Sequence, residues 1–140
     1  MFAFAPLVAL AVLAVVSAAP SAAAVPPDCA RTYVVQQGDT CNSIGAAHQA
    51  PTFQIEHVNT QIDGNCDNLT IGDTLCLGRN GQDCSNVHVV KGGETCGGIA
   101  RNANIALNVL FQNNPTINSG CTNIQVGEVL CTQSTVIHYT

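Results

Sequence analysis

The chain of 140 residues contains no tryptophan, one methionine and only 4% aromatic residues, so it has no broad ring platform on which to stack a ligand. Charge is nearly as scarce, at 9% of residues. Lys91 is the single lysine, and Arg31, Arg79 and Arg101 are the only arginines. That leaves no basic patch to neutralise phosphates and argues against nucleic acid as a partner. A net charge of −5 likewise disfavours anionic membrane surfaces at long range. The closely spaced cysteine pairs that zinc prefers are missing, as is the C-x-x-C of redox proteins. The four histidines, His48, His57, His88 and His138, are dispersed without ligand spacing and read as surface positions. Neither a metal nor any other cofactor is expected.

What the chain does have is cysteine, eight of them in a repeated frame. Cys29, Cys41, Cys66 and Cys76 recur as Cys84, Cys96, Cys121 and Cys131, each displaced by 55 residues with no insertion or deletion. Such a period means one small braced unit built twice. Across the 48 aligned positions, 14 pairs are identical, among them Val35/Val90, Gly38/Gly93, Thr40/Thr95, Ile44/Ile99, Asn59/Asn114, Gly72/Gly127 and Leu75/Leu130. Units this small bury little apolar surface, and small secreted domains commonly make up the deficit with disulfides.

The N-terminus fits an oxidising compartment. An uncharged apolar run from Phe4 to Ala19 leads into Pro20, Pro26 and Pro27, with A-x-A-like sites nearby. It is too short and alanine-rich for a convincing membrane span. The pattern predicts a secretory signal over 1–24, cleaved near 18–24, with a retained anchor as the alternative. The mature protein is then secreted. Most of the positive mean hydropathy, +0.23, belongs to this leader rather than to a core.

Each unit opens with a β-rich run, Thr32-Tyr33-Val34-Val35-Gln36 or Val87-His88-Val89-Val90-Lys91. A Gly-acid-Thr turn follows, in which Thr40 and Thr95 stand where a helix N-cap is wanted. A first helix is predicted around Ile44 and Ala47, or around Ile99. A second carries Ile55 and Val58, or Leu107, Leu110 and Phe111, with Pro51 tolerated only in its first turn. Asn59 and Asn114 end that helix, and last strands follow Gly72 and Gly127. The two strands pair antiparallel with both helices on one face. That packing buries Val35, Ile44, Ile55 and Leu75 in one unit, and Val90, Ile99, Leu110 and Leu130 in the other. It also brings the Gly-acid-Thr turn to face the loop before Gly72 or Gly127. Four cysteines allow three pairings. Strand geometry favours Cys29–Cys76 with Cys41–Cys66, and the equivalents in the second unit, without closing the other options.

Hydrolysis of a glycosidic bond usually needs two acids flanking it, one with a raised pKa. The only glutamates, Glu56, Glu94 and Glu128, each fall where the other copy tolerates a different residue or an aspartate. No such pair is legible, and the chain is expected not to be an enzyme.

The stretch Tyr33-Val34-Val35-Gln36-Gln37-Gly38-Asp39-Thr40-Cys41-Asn42-Ser43-Ile44 resembles the opening of a LysM domain, roughly Y-x-V-x-x-G-D-T-x-x-x-I. Asn59, Gly72 and Leu75 match the family's later positions. The second copy matches at Val90, Gly93, Thr95, Ile99, Asn114-Pro115, Gly127 and Leu130. It departs at His88 for tyrosine and Glu94 for aspartate, and the first copy departs at Thr60, where proline is usual. The cysteine frame is similar to that of fungal LysM proteins.

This resemblance implies an α+β architecture of two tandem, disulfide-braced βααβ LysM domains, over 29–78 and 84–133. A short linker, 79–83, joins them, and a tail, 134–140, follows. It also implies binding of N-acetylglucosamine polymers, chiefly chitin, in a groove between two loops. Gly38, Asp39, Thr40 and Asn42 then face Asp67, Asn68 and Leu69. In the second unit Gly93, Glu94, Thr95 and Gly97 face Thr122, Asn123 and Ile124. Loop amides and small side chains suit an uncharged ligand rich in hydroxyls and amides, and Leu69 and Ile124 offer apolar contact for an acetyl methyl. Without ring stacking, affinity per site is expected to be micromolar, about 8 kcal/mol.

Seven residues between the cysteine frames, reaching about 25 Å when extended, would hold the two sites close enough for avidity. Alternatively, the two sites would bridge oligomers or protein copies into a ligand-induced homo-oligomer. Asn68-Leu69-Thr70 is the sole N-glycosylation sequon, and it falls in the first groove. Fungal LysM effectors of this kind are associated with hiding or shielding chitin. Peptidoglycan binding and a disulfide-rich protein–protein module are the competing readings.

Overall fold

Two short hairpin sheets, each covered by a pair of helices, are the frame of the protein. The computed structural model describes residues 24–140, so the expected leader lies, but for Ala24, outside the described residues. The first unit runs β1 (Cys29–Val34), α1 (Cys41–His48), α2 (Thr52–Val58) and β2 (Thr74–Arg79). The second runs β3 (Val87–Val89), α3 (Cys96–Asn102), α4 (Leu107–Asn113) and β4 (Val129–Cys131). β1 pairs antiparallel with β2, and β3 with β4. The α+β reading holds, with strand–helix–helix–strand order in both units.

The opening strands stop earlier than the β-rich runs suggest, at Val34 and Val89. The next residues enter a turn that a carboxylate closes. Asp39 Oδ2 accepts from Gln36 N at 2.7 Å, and Glu94 Oε2 from Lys91 N at 2.8 Å. Gly38 and Gly93 make that turn with φ of 85° and 81°, a region costly for any residue with a Cβ. Thr40 then caps α1, its Oγ1 accepting from Ser43 N at 3.0 Å while Ser43 Oγ accepts from Thr40 N at 2.9 Å. Thr95 caps α3 the same way, but Gly98 has no side chain to reciprocate. Pro51 lies at the N-cap of α2, where its missing N–H costs nothing.

The eight residues expected in the cores are all buried. Two apolar residues of the predicted helices stay outside the cores. Ala47 is exposed, because the buried stripe of α1 is Cys41, Ile44 and Gly45, at i, i+3 and i+4. Leu107, the first residue of α4, is 42% exposed and lies outside the core. Asn59 and Asn114 do more than end a helix. Each is buried and satisfied on three sides: Asn59 Nδ2 donates to Ile55 O and Cys76 O, and its Oδ1 accepts from Cys76 N, all at 2.7 Å. Asn114 repeats this with Leu110 and Cys131 at 2.8 Å. These amides rivet the second helix of each unit to its last strand.

Disulfides join Cys29–Cys76, Cys41–Cys66, Cys84–Cys131 and Cys96–Cys121, the pairing that strand geometry favoured. Closing loops with sequence separations of 47 and 25 residues restricts the unfolded chain by about 4 and 3.5 kcal/mol respectively. Against cores of about seven buried residues apiece, those terms are large.

The linker is not a free tether. Gln54, fully buried on α2, donates from Nε2 to Leu77 O and Asp83 Oδ1, and its Oε1 accepts from Cys84 N at 2.8 Å. Arg31 holds Asp83 in a two-pronged pair at 2.6 and 2.7 Å. Across the units, Val129 N donates to Thr52 Oγ1 at 3.0 Å. The C-terminal tail returns over both: Ile137 is buried with Cys84 and Cys131, and Asn113 ties it down through Gln133, Thr135 and Ile137. Tyr139 sets its ring edge-on to Phe53 of α2 at 5.2 Å. The two units are thus docked, not merely tethered.

Candidate functional site

In each unit a disulfide ties the turn after the first strand to the loop before the last. Cys41 follows Thr40 and Cys66 precedes Asp67, with Cα atoms 5.9 Å apart; Cys96 and Cys121 repeat the arrangement at 5.9 Å. Cys66 and Cys121 take φ of 57° and 54°, a left-handed conformation that costs an L-residue about 1 kcal/mol. The bridge holds both in it. The two loops expected to form a groove are therefore covalent neighbours.

The side chains in those loops divide into two kinds. Asp39, Glu94, Asn68 and Asn123 are engaged within the protein. Tyr33 Oη donates to Asp39 Oδ2 at 2.8 Å, and His88 Nε2 lies 2.7 Å from Glu94 Oε2. The carboxylate beside it raises the Tyr33 phenol. The bonds from His88 and the Lys91 N–H hold Glu94 below its ordinary value, so His88 is a partner within the turn rather than a free surface histidine. Asn68 Nδ2 donates to Gln61 O while its Oδ1 accepts from Asp63 N; Asn123 does the same with Thr116 and Asn118. Leu69 and Ile124 pack half-buried against the two cores, which leaves only part of each for a ligand. Gly38, Gly93, Gly97, Thr95 and Thr122 leave backbone and small side chains at the surface, and nothing would meet a Cβ at any of the three glycines.

A cavity of about 500 Å³, open on one side to solvent, lies where the units meet. From the first unit come Thr40, Asn42 and Asp67, all expected site residues, joined by Thr52, Phe53, Glu56 and Asn65. From the second come Asn123, also expected, with Thr116, Gln125 and Glu128. The other expected residues lie outside its lining. Thr52 donates to Asn42 Oδ1 at 2.7 Å, which couples the cavity wall to the inter-unit bond. Burial, and then the charges of Glu128 and Asp63, raise the Glu56 carboxyl to about 7. Glu128 Oε2 meanwhile accepts from Gln125 N at 2.9 Å.

Sequence reasoning missed Thr52, Glu56, Gln125 and Glu128, and it missed that carboxylates from different units face one cavity. A signal was available. Thr52 aligns with Leu107 and Glu56 with Phe111, so polar residues in one copy replace apolar ones in the other.

A LysM domain profile matches residues 33–78 and 88–132. The chain belongs to the LysM family. A secreted LysM effector of Pochonia chlamydosporia is 33% identical over 107 residues, an alignment covering 75% of this chain and 15% of that protein. A secreted LysM effector of Penicillium expansum is 26% identical, covering 74% of this chain and 32% of the relative. The chain thus spans a third or less of the length of these two LysM relatives. Other related LysM effectors are named secreted or non-secreted. The crystal structure of the spore cortex-lytic enzyme SleL of Bacillus megaterium QM B1551 aligns with 78% of this chain and 23% of its own, at 20% identity and a TM-score of 0.37. Among the described residues, no helix of this LysM protein is long and apolar enough to cross a membrane.

Proposed function

We propose that this LysM protein is a secreted, non-catalytic binder of N-acetylglucosamine oligomers, chiefly chitin. It sequesters chitin fragments or shields wall chitin, and so mutes chitin-triggered host immunity. One observation carries the reading: in both units a disulfide locks the same two loops side by side, presenting backbone, hydroxyls and glycine at the surface. Chitin offers an uncharged array of hydroxyls, amides and methyls, which such loops complement without a charged anchor. Asp39, Glu94, Asn68 and Asn123 serve this function by holding the loops; the Asp67 carboxylate, the Asn42 Nδ2 amide and the exposed backbone at Gly97 meet the sugar, and the hydroxyls of Thr40 and Thr122, which already accept from Ser43 N and Asn118 Nδ2, contribute only their remaining capacity. A glycan on Asn68 would crowd the first groove, so the binding form is unmodified there.

Sedimentation with insoluble chitin, cellulose and peptidoglycan tests the reading. Retention on chitin and not on cellulose supports it. Retention on none of the three points instead to a protein partner.

A second reading, hydrolysis, draws on the proximity of Glu56 and Glu128. We favour binding because Glu128 is engaged in closing its own loop. Chitin oligomers left with the oxidised protein are expected to stay at their original length.

A further inference from the structure

The two units meet along α2, on two faces of different chemistry. Gln54 fastens one face, its Oε1 accepting from Cys84 N at 2.8 Å. The tail closes over that side, with Ile137 packed on Cys84 and Tyr139 Oη 3.5 Å from Gln54 Oε1. Asp83 lies there too, but Arg31 neutralises it at 2.6 and 2.7 Å. Thr52, about 200° round the helix from Gln54, fastens the other face by accepting from Val129 N at 3.0 Å. Glu56 follows Thr52 by one turn on that same face.

The charged neighbours of Glu56 are all acids. Asp63 and Asp67 stand on the Cys66 loop, Glu128 stands on the loop leading into β4, and no lysine or arginine lines the cavity. β4 itself, Val129–Cys131, carries nothing that titrates. α1 presents the uncharged Asn42, while His48 at its far end packs on Tyr33. His57 lies on the tail side of α2, against Phe53 and Tyr139. Glu128 accepts from Gln125 N, but among the described residues no N–H or O–H donates to the Glu56 carboxyl. Its neighbour at 3.7 Å, Cys66 Sγ, belongs to a disulfide and has no proton to give. A half-buried carboxylate without a donor or a cation is costly to charge. Burial, and then Glu128 and Asp63, accordingly lift it to about 7.

We propose that the junction between the units is a pH-gated hinge, in which charging Glu56 against Glu128 parts the Thr52–Val129 face while the Gln54–Cys84 face stays shut. The closed junction holds the Glu56 proton more tightly than an open one, where the carboxyl returns to its ordinary 4.5. Closure is therefore fully favoured below about 4.5, weakens as pH rises to about 7, and is level beyond. Opening reorients the two disulfide-tied loop pairs toward each other, so the span they present depends on pH. The hinge is independent of which ligand those loops take.

Amide hydrogen exchange on the intact oxidised protein, corrected for intrinsic rates, tests the hinge between pH 5 and pH 8. Protection of the Val129 N–H is expected to fall about fivefold over that range, while the Cys84 N–H keeps its own. Glu56→Gln, with an unchanged circular dichroism spectrum, should hold Val129 protection level. Glu128→Gln should shrink the fall. Constant Val129 protection in the wild type overturns the hinge. So does an equal fall at Cys84, which marks loosening of the whole fold, or a full fall in the folded Glu56→Gln protein. An undiminished fall in Glu128→Gln overturns the repulsion across the junction.

Discussion

His88 Nε2 lies 2.7 Å from Glu94 Oε2 in the second unit, at the place where the first unit sets Tyr33 Oη 2.8 Å from Asp39 Oδ2. The two substitutions compensate: a shorter ring meets a longer acid, and the carboxylate still closes the turn through a backbone N–H. Exchanging one partner alone breaks the match. His88→Tyr and Glu94→Asp are each expected to lower the melting temperature of the oxidised protein. The double variant, which recreates the Tyr–Asp pair, recovers most of that loss. Because bonding holds the folded Glu94 carboxyl below its ordinary value, its contribution is full above that value. It is lost as pH falls through the lowered one. Glu94→Gln should therefore flatten the acid limb of the stability–pH curve.

Glu56 behaves in the opposite sense. Burial, then the charges of Glu128 and Asp63, lift its carboxyl from 4.5 in the unfolded chain to about 7 in the fold. The folded state holds this proton more tightly, so stability is greatest below about 4.5, declines as pH rises to about 7, and is level beyond. Solvent screening of a half-exposed group reduces the effect to about 1 kcal/mol. The unfolding free energy of Glu56→Gln from denaturant titration should exceed that of the wild type at pH 8 by that amount and show no gain at pH 4.

Gln54 is fully buried and serves three groups of the strand and linker. Truncation to alanine strands the Cys84 N–H and Leu77 C=O and leaves a void. Urea unfolding of Gln54→Ala is expected to show a loss of about 2–4 kcal/mol. Val109→Ala, at the equivalent place in the second unit, should cost about 1 kcal/mol, since no linker depends on it.

These contrasts explain what the sequence could and could not disclose. Cys29 to Cys76 and its copy repeat without a gap, and whatever both units need was readable: bridges, Gly38 and Gly93, the Thr caps, the buried Ile and Leu positions. Asn59 and Asn114 were seen but undervalued, because their reach to the last strand depends on tertiary placement. The interface was hidden for a different reason. Head-to-tail units touch through different faces, so contact residues cannot obey the repeat. Gln54 pairs with Val109, Val58 with Asn113, Gly45 with Ala100, and the tail bearing Tyr139 has no counterpart. A Cβ on Gly45 would run into Ala50 O and come within 3.3 Å of the Val129 side chain, so even a missing methyl there serves the docking.

Amide chemical-shift mapping of the isotopically labelled, oxidised protein during titration with N-acetylglucosamine hexamer tests the central claim most directly. Amides at Thr40 to Asn42 and at Asn65 to Asp67 in the first unit, and at Thr95 to Gly97 and Cys121 to Asn123 in the second, are expected to move. Shifts absent from all four segments at saturating sugar would contradict it.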